Sequence, residues 1–347
     1  MERLSHLFDS AAKLDSLPSE FKCAQFSKIV VKVTSCGLHS TDQIIKHGML
    51  SHLRYPITPG SMVTGKVVQM GQNVKHMKLG YQVVGVAAHG GLAEYAVLNA
   101  DYACELKKKE GATQQAFAEV FEGARCEAEL RRFEHEQKSL SKDEHRRVAN
   151  ANERLGFHGE GVDVVIGHGG SARVAVQVLK HASTRKDQRV IVVTSNDRFN
   201  HTFYDVEEAD HLLLSHNEVG SALKAIGGIR FAIAACQPSD AGFEQILEAM
   251  RYASELVVLA PRHEMKLQIP LAPVVSKALS IRGAIWPDRV ALDKVVEMVH
   301  ERALHVSVNL YKFSPEDVNK AWNDLEEETK FDQPVVVVEE TIQAHSV

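Results

Sequence analysis

Apolar residues between about Lys28 and Leu106 fall in short runs separated by glycine, as in "KIVVKVTS", "VTGKVVQMGQNV", "YQVVGVAAHGG" and "LAEYAVLNADYACEL". Gly60, Gly65, Gly71, Gly80, Gly85 and the Gly90–Gly91 pair punctuate at about strand length, which predicts an all-β unit. After Glu110 the pattern turns helical, with Ala116, Phe117, Val120, Phe121 and Ala124 at the spacing of one helix face. The continuation, about residues 131–154, is so charged that it reads as a solvated helix or a mobile insertion. From Val162 onward, continuous apolar runs such as "VDVVIG", "QRVIVVTS", "RFAIAACQ" and "ELVVLAP" alternate with helical stretches such as "ARVAVQVLKHA" and "VGSALKAI". Strands of a parallel sheet buried by helices on both faces read this way, so a doubly wound α/β domain is predicted. The remainder predicts two amphipathic helices and a closing strand, "QPVVVVEE".

Length supports that division, because 347 residues exceed what one hydrophobic core usually serves. Composition narrows the function classes. With 44% hydrophobic and 24% charged residues and a formal charge of −5, nothing points to nucleic acid, and no apolar run reaches the ~20 residues of a membrane helix. The five cysteines (Cys23, Cys36, Cys104, Cys126, Cys236) are scattered and form neither a disulfide framework nor a CxxC pattern, which implies a reducing compartment. "MERLSHLFDSAAKLDSLPSEF" lacks an apolar signal core and carries acids, so the expected location is cytoplasmic.

The chemistry first becomes specific at "VVIGHGGSARVAVQ", where a glycine-rich turn follows a predicted strand and opens a helix. Gly167 permits a tight turn, Gly169 lets backbone approach a pyrophosphate, and Gly170 and Ser171 open a helix whose amides favour an anion. Ala172 takes the third fingerprint position, where a small residue lets helix and strand pack closely. At the end of the next strand stand Thr194, Ser195 and Asn196, with Arg198 close behind, where an NAD-binding protein puts an acid. Hydroxyls and an arginine suit the 2′-phosphate of NADP(H), and Asp197 is the contrary residue.

A glycine-rich β domain, a nucleotide fold and a return segment together resemble the medium-chain dehydrogenase/reductase superfamily from about Ile29 to Val338, most nearly its zinc-type alcohol dehydrogenase branch. The similarity is carried by "YPITPGSMVTGKVVQMGQNVKHMKLGYQVVGV", "GGLAEYAV", "ALSIRGAI" and "FSPEDVNKAWNDLEE". The resemblance implies a GroES-like catalytic domain from residues 1–122 and 287–347, and a Rossmann domain over 123–286 that carries the charged helical insertion. It further implies small residues around the nicotinamide at Ala260, Gly283 and Ala284, and a homodimer through the nucleotide domain. Where many relatives have Gly-Arg near the final strand, this chain has Asp332, Gln333 and Pro334.

Zinc enzymes of the family hold a catalytic metal with three protein ligands. Aligned on Thr41 and Asp42, the first ligand position holds His39; the Gly-His-Glu histidine is replaced in Gly60-Ser61-Met62, and the third position falls on Glu122. A set of Cys36, His39 and Cys126 needs a different register of both segments. Hydroxyl and thioether are poor zinc donors, so the reading is zinc-independent; the lobe that carries a structural zinc in many relatives is absent from the sequence.

Four candidate catalytic residues remain: Thr41 at the family's hydroxyl relay, Asp42 beside it, His39 as a group that titrates near neutral pH, and Glu122 as an acid or base. For His39 the alternative is a turn histidine, and for Glu122 an exposed helix residue. The expected function is an NADP(H)-dependent oxidoreductase reducing a carbonyl or activated double bond of a small organic molecule. Two alternatives stay open: a non-redox enzyme on the same scaffold (isomerase, dehydratase or cyclase) using His39, Asp42 or Glu122, and a non-catalytic dinucleotide-binding protein.

Overall fold

The computed structural model describes residues 27–49, 55–87, 90–107, 117, 120–194, 210–214, 218–235, 240–259, 268–284, 286–326 and 332–338. Ser195, Asn196, Arg198 and Ala260 lie outside them. The chain divides into two units, one formed by residues up to Ala124 together with those from Pro287 onward, the other by Arg125–Trp286.

The first unit opens with β1 (Lys28–Gly37), helix α1 (Ser40–Lys46), β2 (Met62–Met70), β3 (Gln82–Val86), β4 (Tyr95–Asn99) and β5 (Ala103–Glu105). Helix α2 (Val120–Ser139) then carries the chain into the second unit. Residues 131–154, the charged stretch, are helical: α2 runs to Ser139 and α3 spans Lys142–Arg154. The break between them is set by a capping box, in which Ser141 Oγ accepts from Glu144 N at 3.3 Å and Glu144 Oε2 accepts from Ser141 N at 2.8 Å. α3 is a mostly solvated helix, whereas α2 turns Phe133 inward to stack on Phe231 with ring centroids 4.9 Å apart.

The second unit continues with β6 (Val162–Ile166), α4 (Gly169–Ala182), β7 (Val190–Thr194), β8 (His211–Leu214), α5 (Val219–Ala225), β9 (Ile229–Ala234), α6 (Asp240–Ala249), β10 (Met250–Val258), α7 (Leu271–Ser276) and β11 (Ser280–Gly283). Its strands pair in parallel in the order β11-β10-β9-β6-β7-β8. Every residue of β6 and β7 is buried, which is why both read as uninterrupted apolar runs. The exception is Asp163 in β6, held by a two-pronged contact from Arg230 (3.0 and 2.8 Å) and by Gln188 at 2.7 Å. β10 starts earlier than the apolar pattern implies, at Met250, and its register shifts before Glu255.

The chain returns through α8 (Arg289–His300), β12 (Val308–Lys312), α9 (Pro315–Glu326) and β13 (Gln333–Val337). β12 is a strand the apolar pattern does not reveal, being only partly buried. It pairs in parallel with β13, which runs antiparallel to β1 in the register Ser35↔Val337, Cys36↔Val336 and Gly37↔Val335. The sheet order is therefore β12-β13-β1-β2-β3-β5, with β4 also on β1. Val318, Ala321 and Trp322 of α9 join Ile29, Val31, Val63 and Leu98 in one apolar core, so segments far apart in sequence close a single domain. The expected fold class, a GroES-like β domain with a Rossmann-type parallel sheet, is what the chain adopts.

Candidate functional site

In the first unit the candidate residues gather where β1 ends. Leu38 and His39 are buried, and His39 caps α1 in an extended conformation before Ser40 starts the helix. Asp42, in the first turn, is wholly buried and accepts three hydrogen bonds. Its Oδ2 accepts from His39 N at 3.0 Å, and its Oδ1 from Gly60 N at 2.8 Å and Ser61 Oγ at 3.0 Å. Burial raises its carboxyl above the ordinary 3.8, an effect that attraction to His39 and the three bonds oppose without cancelling.

Gly60 is required at the other end of this clamp. Its φ is +104°, and a Cβ there would lie 2.5 Å from Leu92 N and 2.6 Å from Cys36 Sγ. Glycine thus lets the 60–61 turn press onto β1 and present its amide and the Ser61 hydroxyl to Asp42.

Glu122 joins the same turn from α2. It is 3% exposed, and its Oε1 accepts a hydrogen bond from Ser40 Oγ at 3.1 Å. Its neighbour Phe121 lies against the His39 imidazole, ring centroids 5.0 Å apart and tilted by 59°. Thr41 lies beside them, half-buried. His39, Thr41, Asp42 and Glu122 therefore belong to one locality, and the structure adds Ser40, Ser61 and Phe121, which the sequence reading missed. Ser40 was detectable as a second hydroxyl beside Thr41; nothing local marks the partnership of Ser61 with Asp42.

The residues expected at the three zinc-ligand positions are His39, Ser61 and Glu122, and Ser61 Oγ donates a hydrogen bond to Asp42. Histidine and glutamate are ordinary zinc ligands, but a serine hydroxyl bonded to Asp42 is a poor one, so this set offers two good donors where a catalytic zinc takes three. Among the described residues, no three His, Cys, Asp or Glu side chains gather as a metal site.

In the second unit the strand order places β6 beside both β9 and β7, so the connections reverse direction at the carboxyl end of β6, the place where doubly wound sheets bind ligands. The glycine-rich turn lies there. Gly167 (φ +135°) donates its amide to Val193 O at 2.8 Å, a conformation a side chain would strain, and Gly169 at φ +83° begins α4. The first turn of α4 carries no acid, Gly170 and Ser171 are half-buried, and Ala172 is fully buried against the sheet. These residues fit a dinucleotide pyrophosphate. Thr194 ends β7 at 2% exposure, and Gly283 ends β11 with Ala284 next in the chain. Arg125, which the sequence reading missed, sends its guanidinium to this same strand edge, donating to Leu259 O at 2.7 Å and Ala284 O at 3.2 Å.

The chain therefore pairs a β domain with a parallel-sheet domain that carries a glycine-rich turn. Residues 26–108 match the alcohol dehydrogenase GroES-like domain. The chloroplast envelope quinone oxidoreductase homolog of Arabidopsis thaliana is 30% identical over 112 residues, 30% of this chain and 34% of that protein. The quinone oxidoreductase of Sus scrofa is 28% identical over 200 residues, 56% of this chain and 55% of that protein. The chain thus spans about a third to about half the length of these relatives. The Escherichia coli quinone oxidoreductase complexed with NADPH has the same fold, with a TM-score of 0.68 at 17% identity over 90% of this chain and 92% of that one. Residues 26–108 thus carry a domain of the alcohol dehydrogenase GroES-like family, and the whole chain has the fold of that quinone oxidoreductase.

Proposed function

We propose that the protein is an NADP(H)-dependent, zinc-independent oxidoreductase that reduces a quinone or a related conjugated carbonyl. The observation that carries this reading is the left-handed Gly167–Gly169 turn at the reversal point of the parallel sheet. Support for the substrate class comes from the quinone oxidoreductases among the relatives, and for NADP(H) from Thr194 in place of an acid at the end of β7.

The bound cofactor supplies the hydride. The chain's own groups then have to meet charge developing on the substrate oxygen, for which hydrogen-bond donors replace a metal. Thr41 is the half-exposed hydroxyl of the α1 turn, and His39 and Glu122 sit buried behind it. The Ser40–Glu122 hydrogen bond gives a carboxylate and a hydroxyl between which a proton can be held. Asp42 keeps that turn in place through Gly60 and Ser61.

β11 is an edge strand of its sheet, and Leu271 and Val275 of α7 in the same unit are 69% and 78% exposed, which suits a homodimer formed through this unit. Cys36, Cys104 and Cys126 are buried and form no disulfide with one another, which suits a reducing compartment such as the cytoplasm; among the described residues no helix is long and apolar enough to cross a membrane.

The test mixes the protein with NADPH or NADH and a panel of quinones, enones and aldehydes, with and without chelator, following absorbance of the reduced nicotinamide. Chelator-resistant turnover with NADPH supports the reading. Tighter NADH binding overturns the cofactor assignment, activity lost to chelator and restored by zinc overturns zinc independence, and binding without turnover returns the chain to a non-redox role.

A further inference from the structure

Helix α1 is seven residues long, too short to hold its shape by its own backbone bonds, so its place is set by what its side chains grip. Two of them grip in different directions. Asp42 accepts from Gly60 N and Ser61 Oγ and fixes the first turn of α1 to the 60–61 turn. Gln43, 7% exposed, donates from Nε2 to Leu325 O at 2.7 Å. Leu325 lies in the last turn of α9, where carbonyls lack partners within the helix, so the buried amide and this carbonyl satisfy one another. Lys46, one turn on and on the same face, donates to Glu326 Oε1 at 2.6 Å and lies over the Trp322 ring at 5.2 Å. That ion pair is exposed and contributes little by itself, so the Gln43 amide, the more buried of the two contacts, carries the hold of α1 on α9.

We infer that Gln43 is a positioning residue for the Thr41 hydroxyl, an inference that rests on the proposed reduction and deepens it. Successive residues of a helix are turned by about 100°, so Thr41 stands about 200° from Gln43, nearly on the opposite face. Drawing the Gln43 face onto the end of α9 therefore sets how far the Thr41 face stands out from the domain. Asp42, about 100° from each, pins the helix along one line and leaves it free to rock about that line. The Gln43 bond stops the rocking. Thr41 is the hydroxyl offered to the oxygen on which charge develops, and a donor there works only when it is held in place before the charge appears. The bond from Gln43 to Leu325, formed across 282 positions, thus makes the return segment of the chain part of the apparatus that aims the N-terminal turn.

Thr41→Val, Gln43→Met and the double variant are compared with the wild type as full-length proteins, with NADPH and a benzoquinone as probes. Gln43→Met keeps the length of the side chain and removes its donor. It is expected to lower kcat about tenfold, the size of one lost hydrogen bond, with KM for the quinone and the NADPH dissociation constant each within about twofold of wild type. In the Thr41→Val background the same substitution is expected to cost less than about twofold, because the group it positions is gone. A wild-type kcat in Gln43→Met overturns the inference, as does a further loss of about tenfold in the double variant, the result of a purely structural role. If Thr41→Val turns over too slowly for the cycle to be read, Gln43→Lys decides: its regained donor restores kcat to within about threefold of wild type, or the inference falls. If Gln43→Met does not fold, shown by a lost thermal transition, Gln43→Asn, whose amide is one methylene too short for Leu325 O, goes through the same cycle under the same criteria. A Thr41→Val variant at the wild-type rate overturns the inference alone. A wild type that binds NADPH and reduces no quinone overturns the proposed reduction, and the inference with it.

Discussion

Replacing Asp42 with asparagine tests whether this buried carboxylate is the clamp that assembles the candidate site. The side chain keeps its shape, so the asparagine retains one oxygen for Gly60 N and Ser61 Oγ, while its amino group meets the His39 N–H that Oδ2 now accepts at 3.0 Å. One bond is lost and two donors face each other in a fully buried place, which costs about 1–3 kcal/mol. Alanine removes all the acceptors and orphans two backbone amides at once, so about 2–5 kcal/mol is expected, the serine hydroxyl being free to turn elsewhere.

The pH dependence has a definite sign. Because burial raises the folded-state carboxyl above 3.8, the native protein binds more protons than the unfolded chain between that value and the raised one, and the contribution of Asp42 falls as pH rises through this window. The advantage of wild type over Asp42→Asn should therefore be larger at mildly acid pH than at pH about 8. Urea denaturation of both proteins at the two pH values measures it. A variant within about 0.5 kcal/mol of wild type at both would refute the clamp. A deficit that grows with pH would show that the bonds, and not burial, govern this carboxyl.

Gly60→Ala adds a methyl 2.5 Å from Leu92 N at a backbone angle side chains avoid, so a loss of about 3 kcal/mol or more in thermal or chemical unfolding is expected; an unchanged midpoint would mean that the 60–61 turn is free to move. Arg132 bonds Glu129 (3.0 Å), Glu136 (2.7 Å) and Glu255, and Arg132→Met leaves buried Glu129 and Glu255 with Arg282 nearby as the remaining arginine, 3.8 Å from Glu129. About 3–5 kcal/mol of stability should be lost. Burial already raises Glu255 above 4.5, and losing Arg132 raises it further, so the deficit should shrink as pH falls from 7.5 toward 5; a deficit independent of pH would refute this. On the proposed role of Glu122 as a proton-handling group hydrogen-bonded to Ser40, Glu122→Gln should lower kcat by about a hundredfold while leaving the NADPH dissociation constant unchanged; less than a twofold change would remove it from the chemistry.

Much of this molecule was legible in the sequence because the features concerned are local. Period-two and continuous apolar runs mark strands, helical spacing marks α2 and α4, and a strand followed by glycines and a helix marks the turn at Gly167. β12 escaped because an edge strand with both faces partly wet carries no such pattern. The charged stretch over residues 131–154 showed its polarity but not its inner face, where Phe133 reaches Phe231 across the fold.

What the sequence by itself determined is therefore most of the strands and helices, the division into a β part and an α/β part, and the glycine-rich turn. Only the tertiary structure decided which groups the candidate residues meet. Asp42 meets Gly60 and Ser61 across 18 and 19 positions, Ser40 meets Glu122 across 82, and Arg125 meets Leu259 across 134. Such pairings follow from strand register and from where a helix lands on its sheet. Those depend on the sum of burial over the whole core, so no local pattern of residues records that a carboxylate is a clamp or that an arginine reaches the ends of two strands.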